Sequence, residues 1–322
     1  MTAHKAQYSV EKVKLGGDDQ WISIRTTDTT NPVLLFLHGG PGTAEMPLVR
    51  EYNHGLEERF TVVVLDERGA GKSFHAGKDD AKMRIEQFVS DIHELTALLK
   101  GRFGHELIYL MGHSWGSILG VLAAQAYPED YRAYIGIGQE VNVEQGECLC
   151  YRFTLGEAVR RGDRRAQRRL RKIGEPIKGL YRRPIRDLLV QRAYLAKFGG
   201  ALYGKKGSGG AIKVVLRAPE YSLANKVNYL RGSLRSMKLL WREPLARIDF
   251  LSSATKFKVP VYFCVGRHDY NTPFTLVERY FDCISAPSKK LFWFECSAHS
   301  PNFEEPEAFQ KAIVGILDER VD

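Results

Sequence analysis

Apolar and polar residues alternate over Tyr8–Leu15 and again over Trp21–Arg25, the pattern of two strands that each bury one face. Gly16-Gly17-Asp18-Asp19 between them reads as the hairpin turn. Two short apolar runs follow, Pro32–Leu37 and Phe60–Leu65, typical of parallel strands covered on both faces. Ala44–Glu58, between them, has room for a helix. Ile85, Phe88, Ile92, Leu95 and Leu99 stand at helical spacing. A strand over Leu107–Met111, a helix over Trp115–Ala126 and a strand over Tyr134–Ile137 complete this part. Strands alternating with helices imply a parallel sheet with helices on both sides.

The middle of the chain differs. From about Val141 to Ile248 no strand run stands out, and helical patterns such as Arg186–Phe198 and Leu223–Trp241 dominate, with Gly199-Gly200 and Gly204–Gly210 as loops. Apolar strand patterns then resume at Val259–Val265 and Lys290–Phe294, and Glu304–Leu317 closes as a helix. The sheet is interrupted and then completed. The expected organisation is an α/β core from residues 1–141 and 249–322, with an all-helical cap inserted as residues 142–248.

Charge refines this picture. The chain of 322 residues carries 47 Lys+Arg against 38 Asp+Glu, a net +9. Twelve of those cations and only two acids fall between Ala158 and Arg186, so the rest of the chain is close to neutral. The surplus belongs to one or two helices of the insertion. No aromatic residues are interleaved with it in the manner of a nucleic-acid surface, so no nucleic-acid partner is expected.

Leu107 to Pro128 is 22 residues without a formal charge, long enough to cross a bilayer. Its interior holds Gly112-His113-Ser114-Trp115-Gly116-Ser117, a polar break that fits a buried strand, a sharp turn and a buried helix instead. No membrane partner is expected. The amino terminus shows no apolar signal-peptide core. The five cysteines are odd in number and follow no metal spacing, so they read as reduced thiols of a cytoplasmic protein without a metal site.

The chemistry concentrates at strand ends. Gly112-His113-Ser114-Trp115-Gly116 fits G-x-S-x-G between a strand and a helix, where a serine hydroxyl is held out on a tight turn beside a helix amino end. His38-Gly39-Gly40-Pro41-Gly42 follows the strand Pro32–Leu37, and its backbone N–H groups are unobstructed by side chains. The N–H groups of Gly40 and Trp115 make a candidate oxyanion hole. A serine nucleophile needs a base and an orienting carboxylate, in the chain order Ser, Asp/Glu, His. Asp269 follows the strand ending at Gly266, and His299 alone of nine histidines follows the final strand in a loop. Asp282 and Glu295 are alternative acids, each inside or at the end of an element. His38, His113 and His268 read as structural hydrogen-bonders. Gly69-Ala70-Gly71-Lys72-Ser73 ends like a phosphate-binding loop, but Asp66 stands where that motif needs its first glycine.

His38–Gly42 (H-G-G-P-G), Asp66–Ser73 (D-E-R-G-A-G-K-S) and Gly112–Ser117 (G-H-S-W-G-S) together resemble the proline iminopeptidase branch of the α/β-hydrolases. The resemblance covers the first 140 residues and about the last 75. It implies the α/β-hydrolase fold, a triad of Ser114, Asp269 and His299, an oxyanion hole at Gly40 and Trp115, no cofactor, and a structural role for Asp66–Ser73. The implied activity is release of an N-terminal residue from a small peptide. The sequence departs from the family at three places: His113 and Glu67 replace a glycine and a glutamine, and Thr43-Ala44-Glu45 replace further glycines. The family's acids for the substrate amine have no matched positions, and Glu140, Glu144 and Glu147 are the candidates. Because the insertion is basic, a carboxylesterase, amidase or lactonase acting on small acyl substrates is the alternative. A non-catalytic binding protein on the same scaffold is the third reading. Ser114 excludes the epoxide hydrolases and dehalogenases of this fold, which need aspartate there.

Overall fold

The computed structural model describes residues 5–75, 80–204, 209–241 and 243–318. Its centre is an eight-stranded sheet in the order β1-β2-β4-β3-β5-β6-β7-β8. The strands are β1 (Gln7–Leu15), β2 (Asp18–Thr26), β3 (Val33–Leu37), β4 (Thr61–Asp66), β5 (Ile108–His113), β6 (Tyr131–Ile137), β7 (Val261–Gly266) and β8 (Lys289–Phe294). The hairpin β1–β2 adds antiparallel to β4, and every pair from β4 to β8 is parallel. The hairpin turns on two residues only, Gly16 and Gly17, both at positive φ, so Asp18 and Asp19 already belong to β2.

Period-two alternation in the central strands feeds two cores. Val33, Leu35 and Leu37 of β3 join Val63 and Leu65 of β4 on one face, while Leu34 and Phe36 join Val62 and Val64 on the other. The first face is covered by α2 (Ile85–Phe103), α3 (Trp115–Ala126) and later α11 (Phe274–Cys283). The second is covered by α1 (Met46–Tyr52) and α13 (Pro306–Asp318). Leu107–Pro128 therefore folds as β5, a turn and α3, and no helix among the described residues is long and apolar enough to cross a membrane. The five cysteines are all free thiols.

Between β6 and β7 the chain is helical: α4 (Val143–Arg160), α5 (Arg164–Ile173), α6 (Pro184–Phe198), α7 (Gly209–Arg217), α8 (Leu223–Leu240), α9 (Glu243–Ala246) and α10 (Phe250–Ser253). Tyr151, Leu170, Leu188 and Phe198 bury one another in a separate small core of α4–α6. Asn142 and Asp249 pair as an isolated bridge, with Phe250 N–H donating to Val141 O at 2.8 Å, so the stretch leaves and rejoins the sheet at one place.

Three local readings are corrected. The helix expected over Ala44–Glu58 breaks at Asn53 into α1 and a 3-10 turn, His54–Glu58. Asn53 is buried there because its amide donates to Asn302 O at 2.7 Å, a tie that a continuous helix would forgo. The closing helix is two: α12 (Pro301–Glu304) ends before Pro306 starts α13, since proline has no N–H to continue the ladder. Of the loop expected at Gly204–Gly210, residues 205–208 lie outside the described residues, and Gly209 and Gly210 belong to α7.

Candidate active site

Ser114 sits between β5 and α3 at φ 53°, ψ −116°, one of two described non-glycine residues at positive φ. The turn is tight because two glycines let it be. A Cβ on Gly112 would lie 2.3 Å from Gly116 O, and one on Gly116 would lie 2.4 Å from Leu37 O. The Ser114 N–H donates to Ile137 O at 2.9 Å, fixing the turn to β6. Ser114 is half-buried and opens, with Gly40 and Trp115, into a cavity of about 450 Å³. Gly40 adopts φ +130°, where a Cβ would fall 2.5 Å from Gly42 N. Trp115 is the first residue of α3, whose leading N–H groups have no partner within the helix. Both N–H groups thus belong to the wall that holds the serine.

The acid and base meet in one hydrogen-bonded unit. His299 Nδ1–H donates to Asp269 Oδ2 at 2.9 Å. Asp269 also accepts from the N–H of Asn271 (2.8 Å), the N–H of Thr272 (3.0 Å) and the Thr272 hydroxyl (2.8 Å). Four donors on one buried carboxylate leave it a single orientation. His299 Nδ1 also lies 3.1 Å from the Thr272 hydroxyl. Of the alternative acids, Glu295 pairs with Arg267 at 3.0 Å and Asp282 is exposed on α11.

Thr272 was not singled out from sequence. Its only signal is the spacing Asp-x-x-Thr, which lets an Asx-type turn form on Asp269. Gly200-Ala201 is a second omission; the sequence marks only Gly199-Gly200, as a loop. Gly200 O accepts from Tyr270 N–H (3.0 Å) and Ala201 O accepts from His299 N–H (3.3 Å), so this segment braces the acid loop and the base loop together.

The residues that depart from the family occupy the next layer. His113 Nδ1 lies 2.9 Å from Glu45 Oε1, and its Nε2 lies 3.2 Å from His299 O and 3.3 Å from Ser300 Oγ. A carboxylate and a carbonyl are both acceptors, so the pair binds a proton at each ring nitrogen. Burial opposes a charged imidazole, but Glu45 outweighs it and the His113 pKa is raised. Glu67 accepts from Trp115 Nε1–H at 2.9 Å, while its own N–H donates to His38 Nε2 at 3.2 Å. Burial pushes the Glu67 carboxyl far above the usual carboxylate range. A neutral glutamic acid there has nearly the shape and hydrogen-bonding of the family's glutamine.

The phosphate-loop lookalike is filled by its own carboxylate. Asp66 Oδ2 accepts from Lys72 N–H at 2.9 Å and from the Tyr221 hydroxyl at 2.7 Å. A Cβ on Gly71 would lie 2.2 Å from that oxygen. The space a phosphate needs is taken.

Among the three candidate acids, only Glu140 lines the Ser114 cavity. Burial, then the charge of Glu147, pushes its carboxyl up to about 8. Glu147 is buried behind the wall and paired with Arg192, a residue that does line the cavity. Glu144 is exposed on the outer side of α4, in a separate groove with Ile177 and Arg247. Ile118, Val143, Leu188, Met237, Trp241 and Leu245 make the rest of the cavity wall largely apolar.

A strained serine turn after the fifth strand, a glycine loop after the third and an acid–histidine pair after the last two thus all lie at the carboxyl ends of parallel strands. The chain belongs to the α/β-hydrolase fold family, whose model matches residues 32–306, and is a hydrolase similar to proline iminopeptidases. It is 33% identical to the probable aminopeptidase YbaC of Bacillus subtilis over 304 residues, 94% of each chain. Many solved structures share the fold. VinJ superposes with a TM-score of 0.68 at 19% identity, over 96% of this chain and 98% of that one. A proline iminopeptidase of Mycobacterium smegmatis superposes with 0.64 at 17%, over the same shares.

Proposed function

We propose that the protein is an acyl-transferring aminopeptidase that releases an N-terminal residue from small peptides, with Ser114 as nucleophile, His299 as general base and Asp269 as its orienting acid. His299 Nε2 takes the Ser114 proton as Oγ attacks the scissile carbonyl. The N–H groups of Gly40 and Trp115 hold the oxyanion, and Asp269 stabilises the imidazolium. His299 then protonates the leaving amine, and water releases the acyl group by the same route reversed. The helical stretch 142–248 acts as a cap that shapes the pocket.

The observation that carries the peptidase reading is Glu140. It is the acid that faces the cavity, and the Arg192 charge beside it is already answered by Glu147. A substrate ammonium at Glu140 would hold the N-terminal residue against Ser114. The same residue supports the second reading, a carboxylesterase or amidase. A carboxyl pushed up to about 8 is neutral in an empty site at pH 7, and a neutral, largely apolar pocket suits a plain acyl chain.

Labelling with a fluorophosphonate probe tests the nucleophile, with Ser114→Ala as control. Absence of Ser114-dependent labelling overturns the hydrolytic assignment. A panel of aminoacyl-arylamides against short-chain aryl esters then separates the two readings; a preference for the esters overturns the peptidase.

A further inference from the structure

Helix α8 packs one side on its neighbours, and among the described residues its aliphatic side is left uncovered. Its inner side packs on the loops beside the site: a Cβ on Gly42 would lie 2.5 Å from Ser236, and one on Gly232 would lie 2.5 Å from Gly69 O. Leu223, Val227, Leu230 and Leu234 stand on another side, at spacings of four, three and four residues, and are 82%, 57%, 59% and 48% exposed. A stripe of that spacing keeps to one line along a helix, so these four form a row and not a scatter. Ile212 and Leu216 on α7, one turn apart, are 51% and 59% exposed. Soluble surfaces rarely leave aliphatic rows bare unless something docks on them.

Charge selects the occupant. Every ionisable side chain of α8 apart from Tyr229 is a cation (Lys226, Arg231, Arg235 and Lys238), and Lys213 and Arg217 continue the sign along α7. The acid between the two helices, Glu220, pairs with Arg50 at 2.5 Å. Arg235 pairs with Asp80, but a second copy of this chain docked on the same row would still set Lys226 and Arg231 against the cations of the other copy. An anionic lipid surface instead offers headgroups to the cations and acyl chains to the leucines, which is how a basic amphipathic helix lies in an interface. We propose that the outer face of α8, with α7, docks the protein on anionic bilayers. This is a surface contact and not a span, and it does not depend on the reaction at Ser114.

The test is co-sedimentation of the full chain with vesicles of phosphatidylcholine alone and of phosphatidylcholine containing phosphatidylglycerol. The wild type is expected to pellet with the anionic vesicles and to stay in solution with the neutral ones. The triple variant Leu223→Ser/Val227→Ser/Leu230→Ser, none of whose positions lines the Ser114 cavity, should lower the bound fraction at least about tenfold. Its circular dichroism and melting profile should match the wild type. Lys226→Gln/Arg231→Gln should bind more weakly and with a smaller loss on added salt. Equal binding to neutral vesicles, binding unchanged in the triple variant, or no binding overturns the proposal. A concentration-dependent dimer in light scattering that the triple variant abolishes, without vesicle binding, reassigns the face to self-association.

Discussion

Glu45 and His113 are partners: Glu45 Oε1 lies 2.9 Å from His113 Nδ1, both side chains are buried, and the far side of the ring holds His299 O. Two departures from the proline iminopeptidase pattern that look separate in the sequence are thus one buried pair in space. Gly39 leaves them room, since its Cβ would lie 3.1 Å from Glu45 Oε1 and 3.4 Å from His113 Nδ1.

Breaking this pair should cost more than removing it. Glu45→Gln leaves a histidine buried without its counter-charge, and single-partner removal of a buried pair costs about 3–5 kcal/mol. Glu45→Gly/His113→Gly removes both partners together and should recover part of that loss. Chemical denaturation of the three proteins checks it; strictly additive changes would show that the two residues are not coupled. Because the folded His113 pKa is raised, its contribution is full below about 6.5, the ordinary value. It is lost as pH rises through the folded value, and His113→Gln should lack that alkaline decline.

Glu140→Gln should separate the substrate classes. For free-amine substrates kcat/KM should fall about 10–100-fold, one charge-assisted hydrogen bond's worth, whereas short esters should change less than about threefold. With a carboxyl at about 8 and a substrate amine of pKa roughly 8, the free-amine profile should peak near pH 8 and the ester profile should not. Equal losses on both substrates would contradict an ammonium role.

Thr272→Val removes the hydroxyl that Asp269 accepts at 2.8 Å and should lower kcat about tenfold with KM nearly unchanged. Gly200→Val should reach the same pair from outside. A Cβ there would lie 2.5 Å from Leu195 and 2.7 Å from Phe153, and the segment it would shift holds His299 N–H and Tyr270 N–H. Steady-state kinetics with one arylamide suffices for both variants. A Gly200→Val enzyme with unchanged kcat would remove the bracing role.

Asp66 predicts a pH dependence of stability. Burial raises its folded pKa to about 7 against about 3.9 in the unfolded chain. A carboxyl raised on folding favours the native state when protonated. Its contribution is therefore present below about pH 4 and declines between about pH 4 and 7, by a few kcal/mol at most. Asp66→Asn should flatten that interval in urea melts taken across pH. An unaltered slope would place the titration elsewhere.

The hydrolase fold was legible in the sequence because its signals are local. Period two in β1 and β2, unbroken apolar runs in β3 to β7 and glycines flanking Ser114 each report one element's surroundings without reference to distant residues. The positions of the candidates Ser114, Asp269 and His299 just past strands were legible for the same reason. What the tertiary structure alone decided depends on pairs far apart in the chain. Glu45 with His113, Trp115 with Glu67, Gly200 with Tyr270, and Glu140 in the cavity while Glu144 faces outward are consequences of how strands and helices cross. The same holds for charge and exposure. Composition located the basic surplus in residues 158–186, yet the helix with a bare aliphatic row is α8. Helical spacing shows that Leu223, Val227, Leu230 and Leu234 share a side, and only packing determines whether that side meets the core or solvent.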